Sequence, residues 1–132
     1  MIFWTRGSNI QLTKNFNSSE FECPCGKCSI QKIDVNIIEK LQNIREQLQN
    51  PITVTSGYRC QEYHNELTKQ GYETSPTSQH LHGKAVDITA YSTLKLLEYV
   101  TTMFYAVGVS SNFLHVDSRS DKDRLWVYKS RI

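Results

Sequence analysis

The chain has 132 residues and a formal net charge of +2, with 15 Lys and Arg against 13 Asp and Glu. A chain of this length forms one domain whose core buries roughly two-thirds of the unfolded surface, so folding does not require a bound metal. The near balance of charge, without a long run of like charge, argues against a polyanion-binding surface, and we predict no nucleic-acid partner.

The N-terminal part, residues 1–33, is predicted to be an irregular lead-in segment. Asn, Ser, Gly and Pro recur in it, and only residues 10–12 look extended. Its apolar stretch from Ile2 to Trp4 is followed by Arg6 and is too short for a secretory signal. No segment approaches the roughly 18 apolar residues of a membrane span. We therefore expect neither a conventional signal peptide nor a membrane span.

The rest of the chain alternates between helical and strand patterns. The predicted elements are a helix at 35–48, a strand at 52–56, a short helix at 59–70, a polar loop at 73–79, a strand at 84–90, a helix at 92–108, a strand at 113–119, a turn at 119–123 and a strand at 125–129. Asp34 is placed to cap the first helix, and Pro51 ends it. The second long helix is expected to present one apolar face, formed by Leu94, Leu97, Val100 and Phe104.

These elements predict an α+β fold in which a mostly antiparallel sheet packs with two longer helices. The last two strands are joined by a tight turn and are expected to form a pair. No internal repeat and no linker divide the sequence, so residues 1–132 are predicted to form a single domain.

The stretch SPTSQHLHGKAVDITA carries the most informative side chains. His80 and Asp87 are seven residues apart, too far for one helical face, but a turn at Gly83 can bring them together because glycine permits unusual backbone angles. His115 and Asp117 are two residues apart on a predicted strand, so their side chains leave the same face. Two histidines and one carboxylate are a common ligand set for catalytic zinc, with the fourth position left to water.

Spacing alone leaves a surface histidine, a hydrogen-bonded carboxylate and a core histidine open as alternatives for these residues. The pattern SxHxxGxAxD, here Ser78 to Asp87, and the later HxD, here His115 to Asp117, resemble the zinc D-alanyl-D-alanine carboxypeptidase family. That family includes phage endolysins that cut peptidoglycan peptides, and its fold is related to the zinc-bearing Hedgehog signalling domain. The resemblance covers most of the chain, since NFNSSEFECPCG, ITVTSGYRC, FLHVDSR and LWVY follow in the family's order.

The resemblance implies a role for each matched residue. His80, Asp87 and His115 would be the ligands of one catalytic zinc ion, and Ser78 would help to fix the loop or a ligand. Arg59, in SGYRC, matches an arginine near the substrate, where a guanidinium can hold a peptide carbonyl or carboxylate and stabilise oxyanion charge. The alternative for Arg59 is a structural role between loop and sheet.

The proton acceptor for hydrolysis does not follow from the pattern. In several family members an acidic residue stands three positions before the last histidine ligand, where this chain has Asn112. Asp117 is our candidate general base, because it shares a strand face with His115. The alternative is that Asp117 orients a ligand or Arg119. His82, two residues after a ligand, is the other candidate base, with an exposed position as its alternative.

Four cysteines form an uneven pattern. Cys23, Cys25 and Cys28 lie within six residues, and Cys60 follows 32 positions later. Structural zinc bound by four thiolates, disulfides that involve Cys60, and free thiols are the three interpretations. The second CxxC pair of a common zinc motif is absent, so one catalytic ion is favoured over an additional structural ion. No cysteine stands in a nucleophile motif.

We predict a zinc metallopeptidase that hydrolyses an amide bond in peptidoglycan stem peptides, as a carboxypeptidase or an endopeptidase. The peptidoglycan peptide is its expected partner, and a monomer is favoured. Without an export signal, the protein is expected to reach the bacterial cell wall through a phage lysis system or on a virion. Two alternatives are a non-catalytic zinc module that binds cell wall or protein, and a virion component whose zinc only stabilises the fold.

Overall fold

The computed structural model describes residues 1–72 and 74–128, which pack as an α+β fold around one hydrophobic core. The strands in these residues are β1 (Ile2–Thr5), β2 (Ile30–Ile33), β3 (Ile52–Ser56), β4 (Ala85–Ala90), β5 (Ala106–Val109), β6 (Leu114–Asp117) and β7 (Arg124–Val127). The helices are α1 (Val35–Leu48), α2 (Gln61–Lys69) and α3 (Thr93–Met103), and 3-10 turns cover Ser18–Phe21 and Gln79–His82. The predicted fold class is confirmed.

Two sheets organise these strands. β1 and β2 form a separate antiparallel pair, and the main sheet has the order β3-β4-β6-β5-β7. All neighbours in the main sheet are antiparallel except β5 and β7, which are parallel. The centre of the main sheet is therefore formed by β4, β6 and β5.

The two faces of the central strands differ in chemistry. Alternate residues of β4 and β6 join the hydrophobic core, namely Val86, Ile88, Leu114 and Val116. Helix α3 packs against these two strands and against α1, which buries Ile37, Ile38, Leu41 and Ile44. Because successive strand residues point to opposite faces, the residues between the core positions of β4 and β6 point away from the core.

The first long helix agrees with its prediction in both bounds and cap. Helix α1 covers Val35–Leu48, and the Asp34 carboxylate accepts a hydrogen bond of 2.9 Å from the Asn36 N–H.

Within residues 1–72 and 74–128, none of the helices has both the length and the apolar character of a membrane span.

The predicted helix at 92–108 was wrong in its last part. Helix α3 ends at Met103, Phe104 is extended, and Ala106–Val109 form β5. The apolar face was also misplaced, since Leu94 is 77% exposed whereas Leu96 is fully buried. The short run AVGV has no helical or strand period of its own, so its pairing with β6 and β7 decides its conformation.

The pairing of the last two strands was also wrong. β5 lies between β6 and β7, and the turn after Asp117 carries the chain across it. Of the predicted final strand, residues 125–127 belong to β7, and Lys129 lies outside the described residues. The short loop between β5 and β6 pairs these two strands, so that edge of β6 is already occupied and β7 pairs with β5.

The lead-in segment is more regular than predicted. β1 pairs with β2 across the segment, so that Ile2 lies opposite Ile33. Trp4, Phe16 and Phe21 from the same segment are buried in the core. Each strand has only four residues, too few for a period to be visible in the sequence.

Candidate metal centre

A single row of residues crosses the polar side of the main sheet. In register, Ser56 lies opposite Asp87, Asp87 opposite His115, His115 opposite Gly108, and Gly108 opposite Trp126. Residues directly opposite each other on neighbouring strands project from the same face. The sheet therefore places the Asp87 carboxylate beside the His115 imidazole.

The 3-10 turn Gln79–His82 brings His80 to the same point. Gly83 follows this turn with φ of +67°, and a Cβ atom there would lie 2.8 Å from the Lys32 carbonyl oxygen. The backbone N–H of Asp34 also donates to the Gly83 carbonyl, at 2.8 Å. The predicted turn at Gly83 is thus present, and only glycine suits it.

His80, Asp87 and His115 converge in a buried group whose donor atoms all lie within 4.8 Å of one another. Asp87 Oδ1 lies 3.2 Å from His80 Nε2 and 3.0 Å from His115 Nδ1. Tetrahedral ligands at about 2.0–2.2 Å from a zinc ion lie about 3.3–3.6 Å from one another. The donor set and its spacing therefore fit a zinc ion.

Both imidazoles are fixed through the nitrogen that faces away from this point. His80 Nδ1 lies 2.7 Å from the Gly57 carbonyl oxygen, which only accepts, so Nδ1 carries the proton and Nε2 is free for a metal. His115 Nε2 lies 2.9 Å from Asp117 Oδ2, which leaves Nδ1 facing Asp87. Hydrogen bonds of this kind set the tautomer and ring orientation of histidines that bind metals.

Burial and close partners set the protonation of the group. Burial lowers the pKa of His80 and so favours its neutral form. Burial on its own raises the pKa of Asp87, but its interactions with His80 and His115 outweigh burial and hold that pKa below the usual range. A neutral imidazole and an ionised carboxylate are the forms that bind a metal.

Arg59 lies against the carboxylate of this group. Its Nη2 donates to Asp87 Oδ2 at 3.1 Å, and its Nε donates to Ser56 Oγ at 2.9 Å. The Arg59 backbone N–H donates to the His80 carbonyl oxygen at 3.1 Å. The Arg59 side chain stays 20% exposed. It therefore joins the metal-binding group to the surface of the molecule.

Asp117 lies behind His115, on the side away from Asp87. Its Oδ2 contacts His115 Nε2 and accepts from Arg119 Nη2 at 2.8 Å, and its Oδ1 accepts from Arg119 Nε at 2.9 Å. Burial raises the pKa of Asp117, but the hydrogen bonds with His115 and Arg119 outweigh it and lower that pKa to about 2. This geometry favours the orienting role for Asp117 over the role of general base.

The remaining predicted residues lie at the edges of the site. Ser78 precedes the 3-10 turn, and its carbonyl accepts from the Leu81 N–H at 3.2 Å, whereas its hydroxyl caps nothing. His82 is exposed at the end of that turn. Asn112 is exposed in the loop between β5 and β6. Ser78 thus shapes the turn through its backbone.

Gly57 and Ser56 also contribute to the site, and the sequence did not predict either of them. Gly57 supplies the carbonyl that holds His80, and a Cβ atom on it would lie 2.7 Å from the backbone of Phe21. Ser56 binds Arg59. They precede Arg59 by two and three residues in SGYRC, so that motif was the sequence signal that could have identified them.

Aromatic side chains border His115 on the β7 side. The ring of Trp126 lies 5.4 Å from that of His115, and it fills the space above Gly108, where a Cβ atom would lie 2.7 Å from the indole. The ring of Tyr128 lies 6.4 Å from that of His115. Burial raises the pKa of Tyr128, so its phenol is a hydrogen-bond donor at neutral pH.

A second group of candidate ligands lies in the described residues, and it consists of Cys23, Cys25, Cys28 and Cys60. All four thiols are free. The sequence left their state open, and the fold brings all four together.

Comparison with known proteins identifies the class of this chain. The family model described as Peptidase M15 matches residues 14–117. The matched range contains His80, Asp87 and His115. No curated protein matches the chain.

Proposed function

The chain belongs to the Peptidase M15 family, and on that basis we propose that it is a zinc-dependent peptidase that hydrolyses an amide bond in peptidoglycan stem peptides. The observation that carries the proposal is the buried convergence of His80, Asp87 and His115, with all donor atoms within 4.8 Å. Two imidazoles and one carboxylate leave a fourth position of a tetrahedral ion open, as catalytic sites require.

His80, Asp87 and His115 would hold the zinc ion. When bound, zinc polarises a scissile carbonyl and lowers the pKa of water toward neutrality. The Gly57 carbonyl and the Asp117 carboxylate keep the two imidazoles in the tautomers that this requires. The protein thus orients its ligands before substrate arrives.

Arg59 is proposed to contact both the metal ligand Asp87 and the substrate peptide. Its bond to Asp87 Oδ2 balances the charge of the carboxylate. Its partly exposed guanidinium can donate to a carbonyl or carboxylate of a bound peptide and stabilise developing negative charge.

Asp117 is proposed to be a positioning residue that acts through His115. Both of its oxygens already accept hydrogen bonds, and a carboxylate with a pKa of about 2 is a weak base at neutral pH. His82, exposed on the turn that carries His80, is then the remaining candidate proton acceptor from the sequence.

The peptidoglycan substrate rests on the motifs around Ser78 to Asp87 and His115 to Asp117, which resemble those of D-alanyl-D-alanine carboxypeptidases. The same resemblance supports delivery to the cell wall by a phage lysis system or a virion. Both carboxypeptidase and endopeptidase action use the same zinc chemistry, so product analysis must distinguish them.

The test is to incubate purified peptidoglycan with the zinc-loaded protein and to analyse the products by mass spectrometry. We expect stem peptides to be cleaved, with terminal D-Ala released by a carboxypeptidase and internal fragments by an endopeptidase. Asp87→Ala should abolish cleavage. Asp121→Ala, which removes an exposed carboxylate paired with Arg124, should retain it.

A non-catalytic binding module is the second candidate, because Asn112 stands where several relatives of this kind carry an acid. Full zinc occupancy without cleavage of any peptidoglycan bond would favour it over the peptidase. Co-sedimentation of the same protein with intact peptidoglycan would then measure binding directly.

A further inference from the structure

Four cysteines from two distant segments meet at one point. Cys23, Cys25 and Cys28 lie in the loop after the first 3-10 turn, and Cys60 is the N-cap of α2. All four Sγ atoms lie within 4.8 Å of one another, with 3.4 Å between Cys25 and Cys28 and 3.8 Å between Cys25 and Cys60. Four sulfurs around one tetrahedral zinc ion, each at about 2.3 Å, lie about 3.8 Å apart.

Backbone N–H groups point at these sulfurs. The N–H groups of Lys27 and Cys28 each lie 3.3 Å from Cys25 Sγ. The N–H group of Cys60 lies 3.3 Å from Cys23 Sγ. Such donors favour the thiolate form, which is the form that binds metals.

Charged and amide side chains add further donors. Arg6 Nη2 lies 3.4 Å from Cys28 Sγ and 3.7 Å from Cys25 Sγ, and Gln31 Nε2 lies 3.2 Å from Cys28 Sγ. Four thiolates on one divalent ion carry a net negative charge, which the guanidinium offsets. Arg6 Nη1 also lies 3.9 Å from Glu22 Oε1, whereas two neutral disulfides would present no negative charge to Arg6 Nη2.

We propose that Cys23, Cys25, Cys28 and Cys60 bind a second zinc ion, which is structural. Thiolates in a tetrahedral set select zinc over hard cations such as magnesium or calcium. Four protein ligands close the coordination sphere, so this ion has no open position for a substrate.

The segment at 57–60 connects the cysteine site to the metal-binding group of His80, Asp87 and His115. The Tyr58 N–H donates to the Phe21 carbonyl at 2.9 Å, which holds this segment against the lead-in. Cys60 ends the same segment, and Gly57 supplies the carbonyl that orients His80. A structural ion here would fix the backbone on which the ring position of His80 depends.

The first experiment uses the full-length Asp87→Ala variant, which keeps every cysteine. Zinc K-edge X-ray absorption and metal analysis of the reduced protein should show about one zinc per chain, with a first shell of sulfur only at about 2.3 Å. Absence of zinc, or a shell of nitrogen and oxygen, would overturn the proposal.

The second experiment uses the double variant Cys25→Ser/Cys28→Ser in the otherwise native chain. Its zinc content should fall from about two to about one ion per chain, because two thiolate ligands are lost. Lys27→Ser is the matched control, since its exposed side chain is changed while its N–H donor remains. If the double variant does not fold, the absorption experiment on Asp87→Ala decides alone.

Mass spectrometry of the purified native protein, alkylated without reduction, tests the competing chemistry. After zinc removal all four thiols should be alkylated. If the protein as purified contains no zinc and carries disulfides among these cysteines, the proposal is overturned.

Discussion

Each imidazole of the metal-binding group depends on what its second nitrogen contacts. His80 relies on a backbone carbonyl, which cannot change its protonation, whereas His115 relies on the Asp117 carboxylate, which can. Burial lowers the pKa of His115, but hydrogen bonds with Asp117 and Asp87 raise it overall. A proton on His115 therefore competes with a metal, and Asp117 influences that competition most directly.

We predict that Asp117→Asn weakens zinc binding more than it impairs chemistry. Loss of the carboxylate behind a ligand typically lowers metal affinity by about 10–100-fold. Turnover should then recover at saturating zinc, as measured by kcat with parallel metal analysis. A lasting loss of kcat at full zinc occupancy would instead identify Asp117 as the general base. Asp121→Asn is the matched control, because Asp121 is exposed and pairs with Arg124 instead of a histidine of the metal-binding group.

Asp117 should also affect stability at low pH in the zinc-free protein. Its pKa is about 2 in the folded chain against an ordinary value of 3.8, so its contribution, on the order of 2 kcal/mol, is present above pH 4. That contribution is lost as the pH falls from about 4 through about 2. Urea unfolding at a series of pH values gives the free energy of unfolding of the native chain and of Asp117→Asn. Between about pH 4 and about pH 2 this free energy should fall more steeply with decreasing pH in the native chain than in the variant. An equal pH dependence in the two proteins would contradict the lowered pKa of Asp117. Exposed Asp121 titrates in both proteins, so its contribution cancels in the comparison.

Two elements assemble the site, the central strands and the turn before β4. The strands place Asp87 and His115 side by side, because they are direct partners in register. The 3-10 turn Gln79–His82 adds His80, and Gly83 connects it to β4. The register pairs β4 with β6 along both strands, whereas the turn reaches β4 through Gly83 in the left-handed region, so a substitution at Gly83 tests the turn.

We predict that Gly83→Ala lowers both stability and zinc affinity. A side chain in the left-handed region costs about 1–2 kcal/mol, and the new Cβ would also lie 2.8 Å from the Lys32 carbonyl. Gly71→Ala is the matched control, because Gly71 has φ of +85° and nothing within 4 Å of its Cβ position. Gly71→Ala should lose only the stability that the left-handed backbone conformation costs a residue with a side chain, and it should keep its zinc affinity. Equal zinc affinity in the two variants would contradict the role of this turn.

The sequence predicted the elements that have a local signal. Helix α1 and strand β3 match because their periods and the cap at Asp34 are visible within a few residues. Strand β5 was missed, since its four residues take their conformation from neighbours far along the chain. The set His80, Asp87 and His115 was found by its motif, whereas the contact of Asp117 with the far side of His115 depends on the ring orientation.

On the scale of the whole molecule, the lead-in segment is a structural partner of the metal-binding group. Its Phe21 carbonyl accepts from the Tyr58 N–H at 2.9 Å, and its Cys23 Sγ lies 3.3 Å from the Cys60 N–H, so the lead-in segment holds the segment at 57–60 at two points. The cluster of four cysteines could not be derived from spacing, because Cys60 joins the others only through the fold. Distant parts of the chain thus stabilise one site.

We predict that the catalytic zinc is bound more weakly when the cysteine site is lost. In Cys25→Ser/Cys28→Ser, the segment at 57–60 loses a tether, so the Gly57 carbonyl should hold His80 less firmly. Chelator competition should show a lower affinity of the remaining zinc, with Lys27→Ser as the control. Unchanged affinity in a folded double variant would show that the two sites are independent.

The register that places Asp87 opposite His115 also has a kinetic consequence. These residues are 28 positions apart, and His80 meets Gly57 across 23 positions, so the metal-binding group needs several long loops to close. Long-range pairing is slow and comes late in folding. During refolding, metal uptake at this group should therefore lag behind the formation of helix, and its rate would report the time at which β4 and β6 come into register.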